Sequence, residues 1–297
     1  MVVLTLRRFA LVFAAVLVGF PVYGGQQTPP APARHFLWQV EKGERTVFLL
    51  GSIHALKEDA YPLPPVIEEA FDRAEIAVFE VDLGEMTSAA LKMMSAGTLE
   101  GGKTLEQVVG AETWRELEQR VEDSGLPSSV VSQMKPWMAA LTLTALELTR
   151  GGYIQSAGLD SYFFERAKSA DKERIALETV DFQVGLFAGL SSDQSRDFLD
   201  YTLRDLDAVI PMLDELAAQW RAGDVEPVAQ LLTEGFAEFP GIYRKIVTDR
   251  NRSWMDPIEE LLAGERDAIV VVGSLHLVGG EGLVALLRDL GYRVVQL

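Results

Sequence analysis

The chain contains no cysteine. That removes disulfides, thiolate nucleophiles and thiolate metal ligands together, and leaves the fold to stand on its hydrophobic core. Histidine is almost as scarce, with 3 residues in 297: His35, His54 and His276. Positive charge is also in short supply. Lys and Arg number 27 against 44 Asp and Glu, a formal net charge of −17. A chain this acidic is a poor partner for duplex nucleic acid or for anionic lipid headgroups, both of which need a basic face. Common catalytic signatures are missing too. There is no H-E-x-x-H, no G-x-S-x-G and no P-loop, so a zincin helix, a serine nucleophile elbow and a nucleotide cradle are unsupported.

Long apolar runs are confined to the start. Arg7-Arg8, the run Phe9–Val18 and Gly24-Gly25 follow the order of a secretory signal. Residues 1–25 are expected to be removed on export, with an uncleaved N-terminal anchor as the alternative. The run is short for a membrane span, and no second run is long enough for one. Residues 26–34, QQTPPAPAR, form a Pro/Ala linker with little to pack. The expected mature chain, 35–297, is therefore periplasmic or secreted. Loss of a leader carrying only Arg7 and Arg8 takes its charge from −17 to −19.

The ordered part reads as α/β: a central mixed sheet built from the N- and C-terminal segments, with a large helical insertion at about 84–265. Residues 36–40 and 46–50 have the pattern of a hairpin turning at Lys42-Gly43-Glu44. The second strand is almost wholly apolar and therefore central. A helix over about 65–74 opens on Pro65, as helices tolerate, and a buried strand follows at 76–82. The middle is mostly helical, with a short strand near 174–177 and a helix start at Ser191-Ser192-Asp193. A buried strand at 267–272, a helix at 283–290 and a last strand at 292–296 close the chain.

Two of the three histidines occupy the same place in the same short motif. Gly51-Ser52-Ile53-His54 and Gly273-Ser274-Leu275-His276 each follow directly on an apolar strand. Glycine lets the backbone bend sharply and lets another group come close. The imidazole then lies at the carboxyl end of the strand, where open α/β sheets bind ligands. The two turns are expected to be halves of one active site if their strands are parallel neighbours. Glu80 ends the next buried strand, and a carboxylate after so apolar a run calls for a pairing or a cation. Two imidazoles and a carboxylate suit a divalent metal with open positions for water, and Glu80 could instead act as a general base. Ser52 and Ser274 stand beside the histidines. Asp82 reads as a loop cap and Asp160 as a helix N-cap. Glu178 could reach the same sheet edge, and the cationic pair of Arg250-Asn251-Arg252, before Trp254, could clamp a carboxylate or phosphate. The glycines of Gly279-Gly280-Glu281-Gly282 read as turn and helix-entry residues.

Taken together, FLWQVEKGERTVFLLGSIHALKEDAYPLPPVIEEAF, AVFEVDL, GLDSYFFERAKS, ALETVDFQ, DRNRSWMDPIEELL and AIVVVGSLHLVGGEGLVALLRDLGYRVVQL resemble the TraB/GumN family, which includes the animal Tiki-type proteins. The resemblance covers nearly all of the mature chain. It implies an α/β fold whose active site uses His54, His276 and Glu80, with Gly158, Asp160, Glu178, Arg250 and Asn251 at further motif positions. Tiki-type members are regarded as divalent-metal-dependent proteases of extracellular peptides. The expectation is therefore an exported metal-dependent hydrolase, a peptidase, holding Mn, Co or Zn on His54, Glu80 and His276 and acting on a peptide or small molecule. The alternatives are a non-enzymatic envelope protein binding a peptide or glycan, and a metal-independent esterase-like hydrolase.

Overall fold

A computed structural model describes residues 34–234, 236 and 240–297. The expected signal segment and most of the linker lie outside the described residues. The fold is α/β, with a mixed sheet of six strands among many helices. The strands are Leu37–Lys42 (β1), Arg45–Ser52 (β2), Ile76–Phe79 (β3), Glu173–Ala176 (β4), Ala268–Gly273 (β5) and Arg293–Gln296 (β6). No helix among the described residues is long and apolar enough to cross a membrane. The chain divides into two compact units. One takes the residues up to Ile53, Leu63–Ile76 and Pro211–Leu297; the other takes His54–Pro62 and Ala77–Ile210.

The first unit carries four strands in the order β5-β2-β1-β6. β1 and β2 form the hairpin, with Leu37 opposite Leu50 and Lys42 opposite Arg45. Gly43 turns it with a φ of 62°, a conformation that suits glycine. β6 adds antiparallel to β1. β2 and β5 are parallel, in a register that pairs Gly51 with Val272 and Ser52 with Gly273. β2 thus has a neighbour on each side, and its buried run Val47–Leu50 is explained. The helix Asp249–Ala263 covers this sheet with Trp254, Ile258 and Leu262, one buried residue every fourth position, as an amphipathic helix requires.

The starts of the parallel strands are clamped by one carboxylate. Asp267 accepts from the Thr46 backbone N–H at 2.9 Å and from Arg73 Nε at 2.8 Å. Its carbonyl accepts from Glu75 and Ile76. Arg73 also donates to Thr46 Oγ1 at 2.8 Å. These bonds hold the register that brings the strand ends, and so the two glycine turns, level with each other.

The second unit is mainly helical. Leu117 and Val121 of the helix Ala111–Asp123, Ala139, Ala140 and Leu143 of Pro136–Arg150, and Leu199 and Leu203 of Ser192–Asp205 form its core. Ser191 starts the last of these as the sequence predicts, in a reciprocal capping box with Gln194. Ser195, one turn in, accepts from the Trp137 backbone N–H at 2.9 Å. β3 and β4 run beside each other here: the N–H of Leu177 donates to the carbonyl of Phe79 at 2.9 Å. β3 ends at Phe79, three residues sooner than the apolar pattern predicts, because Glu80 begins a bend into the short turn Leu83–Glu85.

Candidate functional site

The two glycine turns leave neighbouring strands, as the repeat suggests. Ser274 Oγ donates to the Ser52 carbonyl at 2.9 Å, tying one turn to the other. Gly51 is needed for space: a Cβ there would lie 2.5 Å from the Phe36 ring and 2.9 Å from Ser274 Oγ. Its carbonyl accepts from Trp220 Nε1 at 2.7 Å. Both serine side chains are buried, and that of Ser274 is spent on the backbone of this crossing.

In the first unit the second turn ends on a fully engaged imidazole. His276 Nδ1 lies 2.6 Å from Asn251 Oδ1. The Asn251 amide nitrogen donates to the carbonyls of His276 at 3.2 Å and Glu281 at 2.7 Å. Those two acceptors fix the amide orientation, so Oδ1 must accept and His276 Nδ1 must carry the proton. The lone pair is then on Nε2, where Arg250 Nη1 stands at 3.1 Å. Arg250 also donates to the Ile246 carbonyl at 3.1 Å, within the π-turn Arg244–Thr248, and its guanidinium lies 4.8 Å from the Trp254 ring centre. The Trp254 and His276 rings are 4.5 Å apart. Arg250, Asn251, Trp254 and His276 are all buried. Arg252 instead faces outward, 3.3 Å from Glu281.

In the second unit the first turn's imidazole meets a carboxylate. His54 Nδ1 is 2.8 Å from Asp160 Oδ2, 106 residues away in sequence. Two residues earlier, a Cβ on Gly158 would lie 2.2 Å from the His54 carbonyl oxygen. The G-x-D sequence therefore does two jobs for one residue: glycine admits the His54 backbone and aspartate takes its ring. This corrects the expectation that Asp160 caps the helix Leu159–Ser169. Gly158 is the N-cap, and Asp160 sits inside the first turn. The loop is further fastened by a two-way backbone bridge between Leu56 and Ile154 and by Tyr61 Oη donating to the Ala157 carbonyl at 2.8 Å. Burial, with Tyr162 and Asp160 nearby, pushes the Tyr61 phenol well above its ordinary pKa, so it acts as a donor throughout the physiological range.

Glu80 is buried at 9% exposure, and its carbonyl accepts from the Glu178 N–H at 2.9 Å. The backbones of these two predicted acids are thereby side by side. Asp82 is a cap, as expected, accepting from the Gly84 N–H at 2.8 Å. The third histidine, His35, meets the C-terminal residue: its N–H donates to the Leu297 carbonyl at 2.5 Å.

The donor atoms suit a divalent metal in one respect and oppose it in another. Both imidazoles are held through Nδ1 by an oxygen, which is how metal-binding histidines are commonly oriented, with Nε2 as the ligating atom. Glu80 adds a buried carboxylate. In this respect the residues fit such an ion. Against it, Arg250 faces His276 Nε2, and among the described residues no three His, Asp or Glu side chains gather as a ready-made metal group.

Comparison with known proteins agrees with the residues. The sequence model of the TraB/PrgY/gumN family matches residues 36–296. The chain is 24% identical over 258 residues to a protein of Escherichia coli strain K12 called "Uncharacterized protein YbaP", covering 86% of this chain and 94% of that one. The protein of the same name from Shigella flexneri matches with the same identity and coverage. No solved structure matches at a significant level.

Proposed function

The chain belongs to the TraB/PrgY/gumN family, and we propose that it is an exported, divalent-metal-dependent hydrolase that cleaves peptides in the periplasm or outside the cell. His54, Glu80 and His276 are the proposed donors for Mn, Co or Zn. The carrying observation is the 2.8 Å contact between His54 Nδ1 and Asp160. A carboxylate there fixes the tautomer and makes Nε2 the working nitrogen, the arrangement a metal ligand needs.

A metal at these donors would supply a hydroxide nucleophile near neutral pH and polarise the scissile carbonyl. The chain's own residues do the rest. Asp160 holds the His54 ring in one orientation and keeps the proton on Nδ1. Asn251 does the same for His276 with a neutral amide. Arg250 brings a buried cation with a planar donor face, suited to a carbonyl oxygen that gains negative charge.

One observation favours a second reading. The guanidinium at 3.1 Å from His276 Nε2 occupies the direction a metal would use. In a metal-independent hydrolase His54, oriented by Asp160, would serve as general base. Peptide-library cleavage by the mature protein, with chelator and with each metal restored, separates the two. Turnover that disappears with chelator and returns with a metal supports the first reading; turnover indifferent to chelator supports the second.

A further inference from the structure

We propose that a cavity in the second unit, one residue along from the His54–Asp160 pair, is a recognition site for a neutral, apolar stretch of polypeptide. The proposal rests on the hydrolase reading only for what happens to that stretch once bound. The cavity has a volume of about 590 Å³, inside the range of roughly 300–1,000 Å³ in which proteins hold organic ligands. Leu83, Met86, Tyr162 and Phe164 supply carbon walls, and Gln155 and Ser161 supply amide and hydroxyl groups. That combination seats apolar side chains while hydrogen-bonding a peptide backbone.

Its position ties it to the site. Ser161 follows Asp160 directly on the helix Leu159–Ser169. Tyr162 packs at 4.8 Å against Tyr61, from the loop that begins with His54. Ser169 marks another part of the lining, eight residues and so about 12 Å along the same helix. A chain lying in the cavity would thus run along this helix toward Asp160.

Charge selects a neutral occupant. The lining holds one acid and one base, Glu165 and Arg166, which favour neither sign. The surroundings select a polymer over a small molecule. Met86 lines the cavity yet is 44% exposed, and Leu91 and Met94 on the same helix, Met86–Gly97, are 64% and 59% exposed. At about 3.6 residues per turn Met94 lies about 80° around the helix from Met86, and Leu91 about 60° beyond it. Exposed apolar residues continuing out of a cavity mark an interaction surface, and flexible methionines adapt to varied side chains. A small ligand would have no use for that extension.

The test uses the full mature chain carrying His54→Ala, so that cleavage cannot consume the probe. Fluorescence polarisation follows two labelled decapeptides, one with a central Leu-Phe-Leu and one with Ser-Ser-Ser. The apolar peptide should bind saturably and at least 10-fold more tightly. Ser169→Trp, which fills the cavity, and Met94→Glu, which spoils the extension, should each weaken it at least 10-fold with an unchanged melting temperature. If Ser169→Trp does not fold, Met86→Glu reads the same wall. Equal binding of the two peptides, indifference to the cavity variants, or full competition by phenylalanine amide would overturn the proposal. Selective binding with no cleavage of any peptide by the wild type would sink the hydrolase reading and leave the cavity standing. Cleavage without apolar preference, unaffected by Ser169→Trp, would do the reverse.

Discussion

Asn251 and His276 lie on different elements of the first unit and meet at 2.6 Å, Oδ1 to Nδ1. Because the Asn251 amide nitrogen is committed to two carbonyls, this contact fixes the imidazole tautomer. Nitrogen-15 NMR of the histidines should find His276 neutral and protonated at Nδ1. Asn251→Ala should abolish that preference and cost about 1–3 kcal/mol in chemical unfolding, since two carbonyls and a ring N–H lose their partner in a buried place. A variant as stable as the wild type, with the tautomer retained, would contradict the assignment.

Asp160 orients His54 as Asn251 orients His276. Asp160→Asn should lower kcat/KM or metal affinity about 10–100-fold and leave the melting temperature nearly unchanged, because the His54 side chain is 64% exposed. A large loss of stability with unaltered activity would make the pair structural.

Gly158 is a steric prediction. Gly158→Ala places a methyl group 2.2 Å from the His54 carbonyl oxygen, and backbone cannot rotate away as a side chain would. Unfolding should show roughly 1–3 kcal/mol of destabilisation, with activity falling as the His54 loop shifts. A neutral substitution would mean that this loop is free to move.

Asp267 has no contact with substrate in this account, yet it sets the register of β2 and β5. Asp267→Ala removes an ionised acceptor from Arg73 and from the Thr46 N–H. The expected cost is about 2–3 kcal/mol, measured by denaturant titration, with metal affinity little changed in the fraction that remains folded.

Much of this architecture is legible in the sequence, for a local reason. Apolar runs such as those ending at Gly51 and Gly273 read as buried strands, and the repeated turn suggests a shared edge; that β2 and β5 are parallel neighbours comes from the structure. Ser191 and Asp82 cap as their residue types suggest. The links across the chain are not legible. Nothing local ties Asp160 to a histidine 106 residues earlier, and an aspartate at a helix start reads as a cap. The missed signal was the glycine two residues before it, at a position where any side chain would collide with backbone. Asn251 stands in a recognisable motif, but its use of all its polar atoms around one ring depends on tertiary contacts. The clamp that Arg73 and Asp267 form with Thr46 joins residues far apart in the chain and has no local signature.

In the proposed function the two glycine-turn histidines hold a metal that hydrolysis requires. Metal analysis of natively purified mature protein, beside His54→Ala and His276→Ala, tests it most directly. Close to one equivalent of a divalent transition metal is expected in the wild type, lost from each variant together with peptide cleavage. A wild type that takes up no metal after exposure to Mn, Co and Zn, while cleaving peptides in the presence of chelator, would contradict it.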